Sequence, residues 1–209
     1  HTQNLVIKIN AKGEIEGFSF RDLADVAIDA MVSLRSPSLT KMLSFFEGNN
    51  IIVGYDGRHS SPSISRAISA GLMESGKNVV FANMAPTPSI QLITKNSFDG
   101  GVMITASHNP AEYNGIKVIS STGIEVSRSD ENIIEDIYFQ KKYSRKDWQG
   151  VGNMTFNSSV ITDYINSVIK NVDSSSIKKR KLKIVIDSGN GTQALSAPFI
   201  AEDLGCEVI

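Results

Sequence analysis

The stretch IIVGYDGRHSSPSISRAISAGLMESGKNVVFANMAPTPSIQLITKNSFDGGVMIT, residues 51–105, decides the fold. Its apolar run Ile51 to Tyr55 opens on Asp56-Gly57-Arg58, which reads as a strand ending in a loop. A helix then starts near Pro62, carries Ile64, Ala67, Ile68, Gly71 and Leu72 on one face, and stops at Gly76. Val79 to Phe81 is a second strand, Ser89 to Lys95 a helix after Pro86-Thr87-Pro88, and Gly101 to Thr105 a third strand. Strand, helix, strand, helix, strand at this spacing predicts βαβ crossovers, hence an α/β fold: a three-layer α/β/α domain with a mixed, mostly parallel sheet. Gly115 to Ile119 is expected to run back antiparallel, because too few residues separate it from the third strand for a parallel crossover.

Working outward, Leu5 to Ile9 reads as a strand, followed by a turn from Lys12 to Gly17. Ser19 then caps a helix whose face is Leu23, Val26, Ala27, Ala30, Met31 and Leu34. On the other side, Lys141 to Ser159 lacks a period and reads as a link, and Ser159 to Lys170 as a helix. Ser174 to Ser176 and the basic run Lys178 to Lys181 read as a solvated lead-in to a strand, Leu182 to Ile186. This reading makes residues 1–150 the first domain, 151–181 a linker and helix, and 182–209 the truncated start of a second α/β domain. A lone βα unit needs a neighbour for its apolar face, either the first domain or a second copy of the chain in a homo-oligomer. His1 stands in place of an initiator Met and reads as a remnant of a tag or of processing, while Glu207-Val208-Ile209 reads as a strand just begun, so the chain is expected to be an N-terminal fragment.

The composition excludes several classes. Twenty-one basic against 22 acidic residues give a net charge of -1, which argues against an electrostatic nucleic-acid binder. The apolar runs are a few residues long, far short of the ~20 that a bilayer requires, so no membrane partner is expected. The single cysteine, Cys206, cannot form an internal disulfide, and without a signal-peptide pattern the cytoplasm is the expected location.

In parallel sheets chemistry collects in loops beyond the carboxyl ends of the strands. Two loops qualify: Asp56 to Ser61, and Ala106 to Asn114 with Ser107 projecting into a cleft. On the residues alone Ser107 is a nucleophile or a member of a hydrogen-bonded turn. Ser-His hydrolysis is disfavoured, since the G-x-S-x-G elbow is absent and His108 is the serine's immediate neighbour.

The segment TASHNPAEYNGIKV, Thr105 to Val118, resembles the active-site serine loop of the α-D-phosphohexomutases, a superfamily of phosphomannomutases, phosphoglucomutases and phosphoglucosamine mutases. VGYDGRHSS (Val53 to Ser61) and KIVIDSGNGTQ (Lys183 to Gln193) resemble two further segments of that superfamily. The resemblance implies an intramolecular phosphotransferase acting on hexose phosphates of mannose, glucose or glucosamine, with a phosphate on Ser107 passing through a sugar bisphosphate. It implies that His108 and Lys117 supply charge or protons, with Lys117 pointing back at the loop from the return strand. Asn109 shapes the loop, while Asp56 and Arg58 brace it or touch substrate. It implies Mg²⁺, held by the phosphate on Ser107 and by an aspartate-rich loop that does not occur in these residues, so that the chain alone is expected to be inactive. The family's S-G-x-R-G turn has Asn10-Ala11-Lys12-Gly13 as its nearest counterpart, where Lys12 keeps the charge of the arginine without its fork.

Two rival readings stand beside this one. Gly189-Asn190-Gly191-Thr192-Gln193-Ala194 fits the G-x-G-x-x-A pattern of nicotinamide-binding enzymes, although a tight strand-to-helix turn explains the glycines and the pattern leaves the serine loop unexplained. A non-catalytic sugar-phosphate-binding paralogue would keep the serine loop and tolerate Lys12.

Overall fold

The computed structural model describes residues 45–139 and 146–209, together with the backbone of two strands, β1 (Val6–Ile9) and β2 (Ile15–Ser19), which pair antiparallel. Lys12 and the helix expected after Ser19 lie outside the described residues.

The main sheet contains β3 (Asn50–Tyr55), β4 (Asn78–Met84), β5 (Gly100–Ile104), β6 (Ile116–Ser120) and β7 (Met154–Phe156), in the spatial order β6-β5-β3-β4-β7. β3 runs parallel to β4 and β5, and β4 to β7, while β6 returns antiparallel to β5 with Lys117 opposite Met103. Four helices flank this sheet: α1 (Ser61–Glu74), α2 (Thr87–Ser97), α3 (Arg128–Phe139) and α4 (Val160–Lys170).

Strand periodicity divides the apolar residues between two cores. Ile51 and Val53 of β3, Val79 and Phe81 of β4, and Val102 and Ile104 of β5 pack with Ile64, Ile68 and Leu72 of α1 and Ile134 of α3. Their alternates Ile52, Ala82 and Met103 pack with Ile90 and Ile93 of α2 and Val160 of α4 on the opposite side. Both faces of the central strands are therefore covered, which accounts for continuous apolar runs where a half-exposed strand would alternate. Each fully buried Ile or Leu contributes ~1.5–3 kcal/mol, so these two layers are what hold the strand ends in place. At the far rim, burial pushes the Lys77 ammonium below its ordinary pKa although Asp99 opposes the shift, and its Nζ donates to the Phe46 carbonyl.

The structure departs from the sequence reading in four places. Met154–Phe156, read as link, is the outermost strand β7, whose three residues are held through backbone pairing with Val79 to Phe81. No element is assigned from sequence to residues 121–140, yet α3 forms there, with Ser127 bonded to Asp130 at its start and Ile134 buried. The solvated lead-in is instead a short helix, α5 (Ser174–Arg180), begun by Asp173 Oδ1 accepting from the Ser176 amide and ended by three cations in its last turn. The strand expected over Leu182 to Ile186 shrinks to β8 (Lys183–Ile184), because its pairing is limited to β9 (Glu207–Val208). Between them a 3₁₀ turn (Thr192–Leu195) leads into α6 (Ala197–Asp203), which packs on α4.

Candidate active site

At the carboxyl ends of β3, β4 and β5 the chain opens a cleft of about 760 Å³. One wall is the β3–α1 loop with Asp56, Arg58 and His59, a second the start of α2 with Thr87, and a third the serine loop with Ser107, His108 and Asn109. The fourth wall is the turn Gly189 to Gln193. Among the described residues no helix is long and apolar enough to cross a membrane, and no group of three or more His, Cys, Asp or Glu side chains converges to hold a metal ion.

The serine loop is a closed arch. Its ends are tied where the Thr105 amide donates to the Gly115 carbonyl at 3.0 Å, and its crown where the Asn109 amide donates to the Ala106 carbonyl at 3.1 Å. Ser107 sits at φ +55°, a left-handed conformation that costs a non-glycine residue on the order of 1 kcal/mol. The Thr105 hydroxyl accepts from the Ser107 amide at 3.0 Å and steadies this turn. The loop thus spends energy on presenting the exposed Ser107 hydroxyl at the mouth of the cleft, with the exposed His108 next to it.

Arg58 holds this arch from behind. Its Nε donates to Asp56 Oδ2 at 3.0 Å, its Nη1 to the carbonyls of Pro110 and Tyr113, and its Nη2 to those of Ser107 (2.9 Å) and Asn109 (2.8 Å). All five N–H donors of the guanidinium are in use. Asp56 in turn accepts from the Ser61 hydroxyl at 2.7 Å, and Asn114 Nδ2 donates to the hydroxyls of Ser60 and Ser61. Ser61 and Asn114 are buried, so this polar network is satisfied internally. Of the two roles the sequence leaves open for Asp56 and Arg58, the geometry supplies the bracing one in full.

Lys117 is placed differently from the rest. Its side chain is 8% exposed, its Nζ lies 2.7 Å from Glu125 Oε1, and it is absent from the cleft lining. Of the sequence-selected residues, the cleft therefore brings together Ser107, His108, Asn109, Asp56 and Arg58, and leaves Lys117, expected to point back at the loop, outside the lining and paired with Glu125. Sequence reasoning took in His59 only as part of the Asp56 to Ser61 loop and missed Thr87 and Asn190 as cleft residues, although the strand-end rule that selected the two loops applies equally to Thr87. The start of α2 carries no acidic side chain in its first turn, so its positive dipole end is open to an anion. Among the described residues, Asp56 is the one carboxylate lining the cleft; it is committed to Arg58 and Ser61, and the donors described there do not fit a Mg²⁺ site.

A serine-bearing loop arched over the carboxyl end of a mixed sheet, facing a donor-rich cleft, defines an α/β/α domain with a candidate active site at its strand ends. The chain belongs to the phosphoglucomutase/phosphomannomutase family: the family's alpha/beta/alpha domain I matches residues 37–145. It is 41% identical over 174 residues to the phosphoglucosamine/phosphogalactosamine mutase of Sulfurisphaera tokodaii, covering 81% of this chain and 38% of that protein. It is 35% identical over 196 residues to the phosphoglucomutase/phosphomannomutase of Thermococcus kodakarensis, covering 92% of this chain and 43% of that one. A phosphoglucomutase/phosphomannomutase family protein of Burkholderia thailandensis shares the fold at a TM-score of 0.72 and 22% identity, over 99% of this chain and 42% of its own. The chain thus spans about two fifths of the length of these relatives.

Proposed function

We propose that this chain supplies the phosphoserine half of a phosphohexomutase, which interconverts hexose 1-phosphates and 6-phosphates. The observation that carries the reading is the presentation of Ser107: exposed, left-handed, and mounted on an arch that Arg58 grips through four carbonyls. Phosphoryl transfer asks little covalent chemistry of a protein and much positioning, and this loop is built for positioning.

In the proposed cycle a hydroxyl oxygen of the sugar monophosphate attacks the phosphorus on Ser107. The bond from phosphorus to Ser107 Oγ breaks as the new one forms, and the hydroxyl proton passes by way of a base to the departing Ser107 Oγ; His108, next to Ser107 in sequence and lining the same cleft, is the candidate. After the bisphosphate turns round, Ser107 Oγ takes the phosphoryl group from its other end and the proton returns. The positive end of α2 adds a field that favours the phosphate charge. Asn109 keeps the crown of the loop in shape. Lys117 would act only by exchanging Glu125 for a phosphoryl oxygen. The Mg²⁺ that the family resemblance implies would take its carboxylates from outside this cleft, so no step above is routed through it.

The relatives are named as mutases of different sugars, and the sugar belongs to the proposal as a class: a hexose phosphate of mannose, glucose or glucosamine. Turnover of the full-length gene product with each of the three 1-phosphates, followed as formation of the 6-phosphate, tests the reading. Absence of turnover with all three, together with unchanged binding of them, would favour a sugar-phosphate-binding paralogue.

A further inference from the structure

We infer that His59 is a second phosphate contact of the cleft, acting with His108 on the phosphoryl group at Ser107; this rests on the mutase reading above. The inventory of cations lining the cleft leads to it. Among the described residues, the side chains there able to carry positive charge are Arg58, His59 and His108. Arg58 has no donor left, since all five of its N–H groups end on Asp56 and on loop carbonyls. Lys117 is outside the lining and paired with Glu125. A phosphoryl group carries close to two negative charges and three acceptor oxygens, more than one imidazole satisfies. Among the described residues, the cleft-lining imidazole available beside that of His108 is that of His59.

The mounting of His59 supports the assignment. Its neighbours are both immobilised, Arg58 by the bonds just named and Ser60 by the amide of Asn114, while the Ser61 amide donates to the Arg58 carbonyl at 3.0 Å. The backbone at 59 is therefore fixed at the entrance to α1. The imidazole itself is exposed and has no hydrogen-bond partner among the described residues. A free donor on a rigid base meets a ligand without first losing backbone freedom, which is the arrangement expected of a binding contact.

The 209-residue protein has three histidines, His1, His59 and His108, so its imidazole NMR signals can be assigned by single substitutions. Titration with inorganic phosphate is expected to move the His59 and His108 signals along one saturation curve, and His59→Gln should weaken binding by about 10-fold or more, the loss of one charge-assisted hydrogen bond. Movement of His108 without His59 would overturn the assignment and leave the serine-loop reading intact. No movement of either would overturn both. Movement of His1 on the same curve would expose a general salt effect and also overturn it.

Discussion

The Nη2 of Arg58 donates to the main-chain carbonyl of Ser107 at 2.9 Å, although the two residues lie 49 positions apart, one on the loop from β3 to α1 and the other on the loop from β5 to β6. A cation is thereby spent on the backbone of the loop serine, so the arginine sets where the serine hydroxyl stands.

Removing that cation should loosen the site and the fold together. Arg58→Ala is expected to cost about 2 to 4 kcal/mol, since the side chain is 11% exposed and its loss leaves Asp56 and four loop carbonyls without their donor. Arg58→Lys should recover only part of this, because three donors on a flexible stem cannot reproduce a planar fork. Urea unfolding checks both, and a loss under ~0.5 kcal/mol in Arg58→Ala would mean that water replaces the clamp.

Ser107→Ala should abolish phosphate incorporation from a sugar bisphosphate into the full-length gene product and leave thermal stability the same or slightly changed, the side chain being exposed. Phosphopeptide mapping reads the first and calorimetry the second. Label on another residue, with activity retained, would remove Ser107 from the proposed cycle.

For Lys117 the pairing with Glu125 separates two outcomes. If the ammonium reaches the phosphoryl group during turnover, Lys117→Met should lower kcat by ~10²-fold while Glu125→Gln changes it little. Equal loss of stability in both variants with kcat unchanged would confine the pair to joining β6 to the residue that bridges it.

Two glycines should respond to alanine in opposite measure. A Cβ on Gly152 would lie 1.9 Å from the Lys77 carbonyl oxygen and 2.5 Å from its carbon, so backbone must move, at about 1 to 3 kcal/mol or more. Gly189, at φ +53° with nothing within 4 Å of the added methyl, should lose only about 1 kcal/mol to backbone strain. Denaturant midpoints of the two variants give the comparison, and the reverse order would contradict the packing described for β7.

The cap of α5 predicts an acid-sensitive helix. The hydroxyl of Ser176, then its amide, then the hydroxyl of Ser175 donate to Asp173 and bring its pKa down to about 2. A carboxyl depressed by folding stabilises above its unfolded pKa, and loses that contribution as pH falls through the folded one. Amide protection across Ser174–Arg180, taken relative to the intrinsic exchange rate at each pH, should therefore fall between about pH 4 and pH 2. Asp173→Asn, which can still cap, should flatten this dependence.

The order β3-α1-β4-α2-β5 and the antiparallel return of β6 are legible in the sequence because each element buries a run of apolar residues with its own period. β7 is not legible: its three side chains are exposed, and pairing through backbone with one ring contact, Phe156 on Phe81, leaves no pattern in residue type. The site divides along the same line. Ser107, His108 and Asn109 announce themselves by motif and by standing at a strand end. The clamp of Arg58 is invisible because its acceptors are main-chain carbonyls, which every residue has. Lys117 is placed on the correct strand, yet its partner eight residues on comes from a bridge between Ile119 and Glu125 that periodicity does not announce.

The two rims of the main sheet decide how the molecule keeps company with its own copies. An exposed strand edge is a template on which another chain can lay down a strand, and long flat edges invite stacking. Here β7 offers three residues, with Phe156 turned edge-on to Phe81, enough for only a few ladder bonds. At the opposite rim the segment around Glu125 and Val126 occupies β6, with the Val126 amide donating to the Val118 carbonyl and the Ser120 amide to that of Ile124. Among the described residues neither side leaves a full row of free amides and carbonyls, so a sheet that is almost entirely apolar within is poorly shaped to seed aggregation from these two borders.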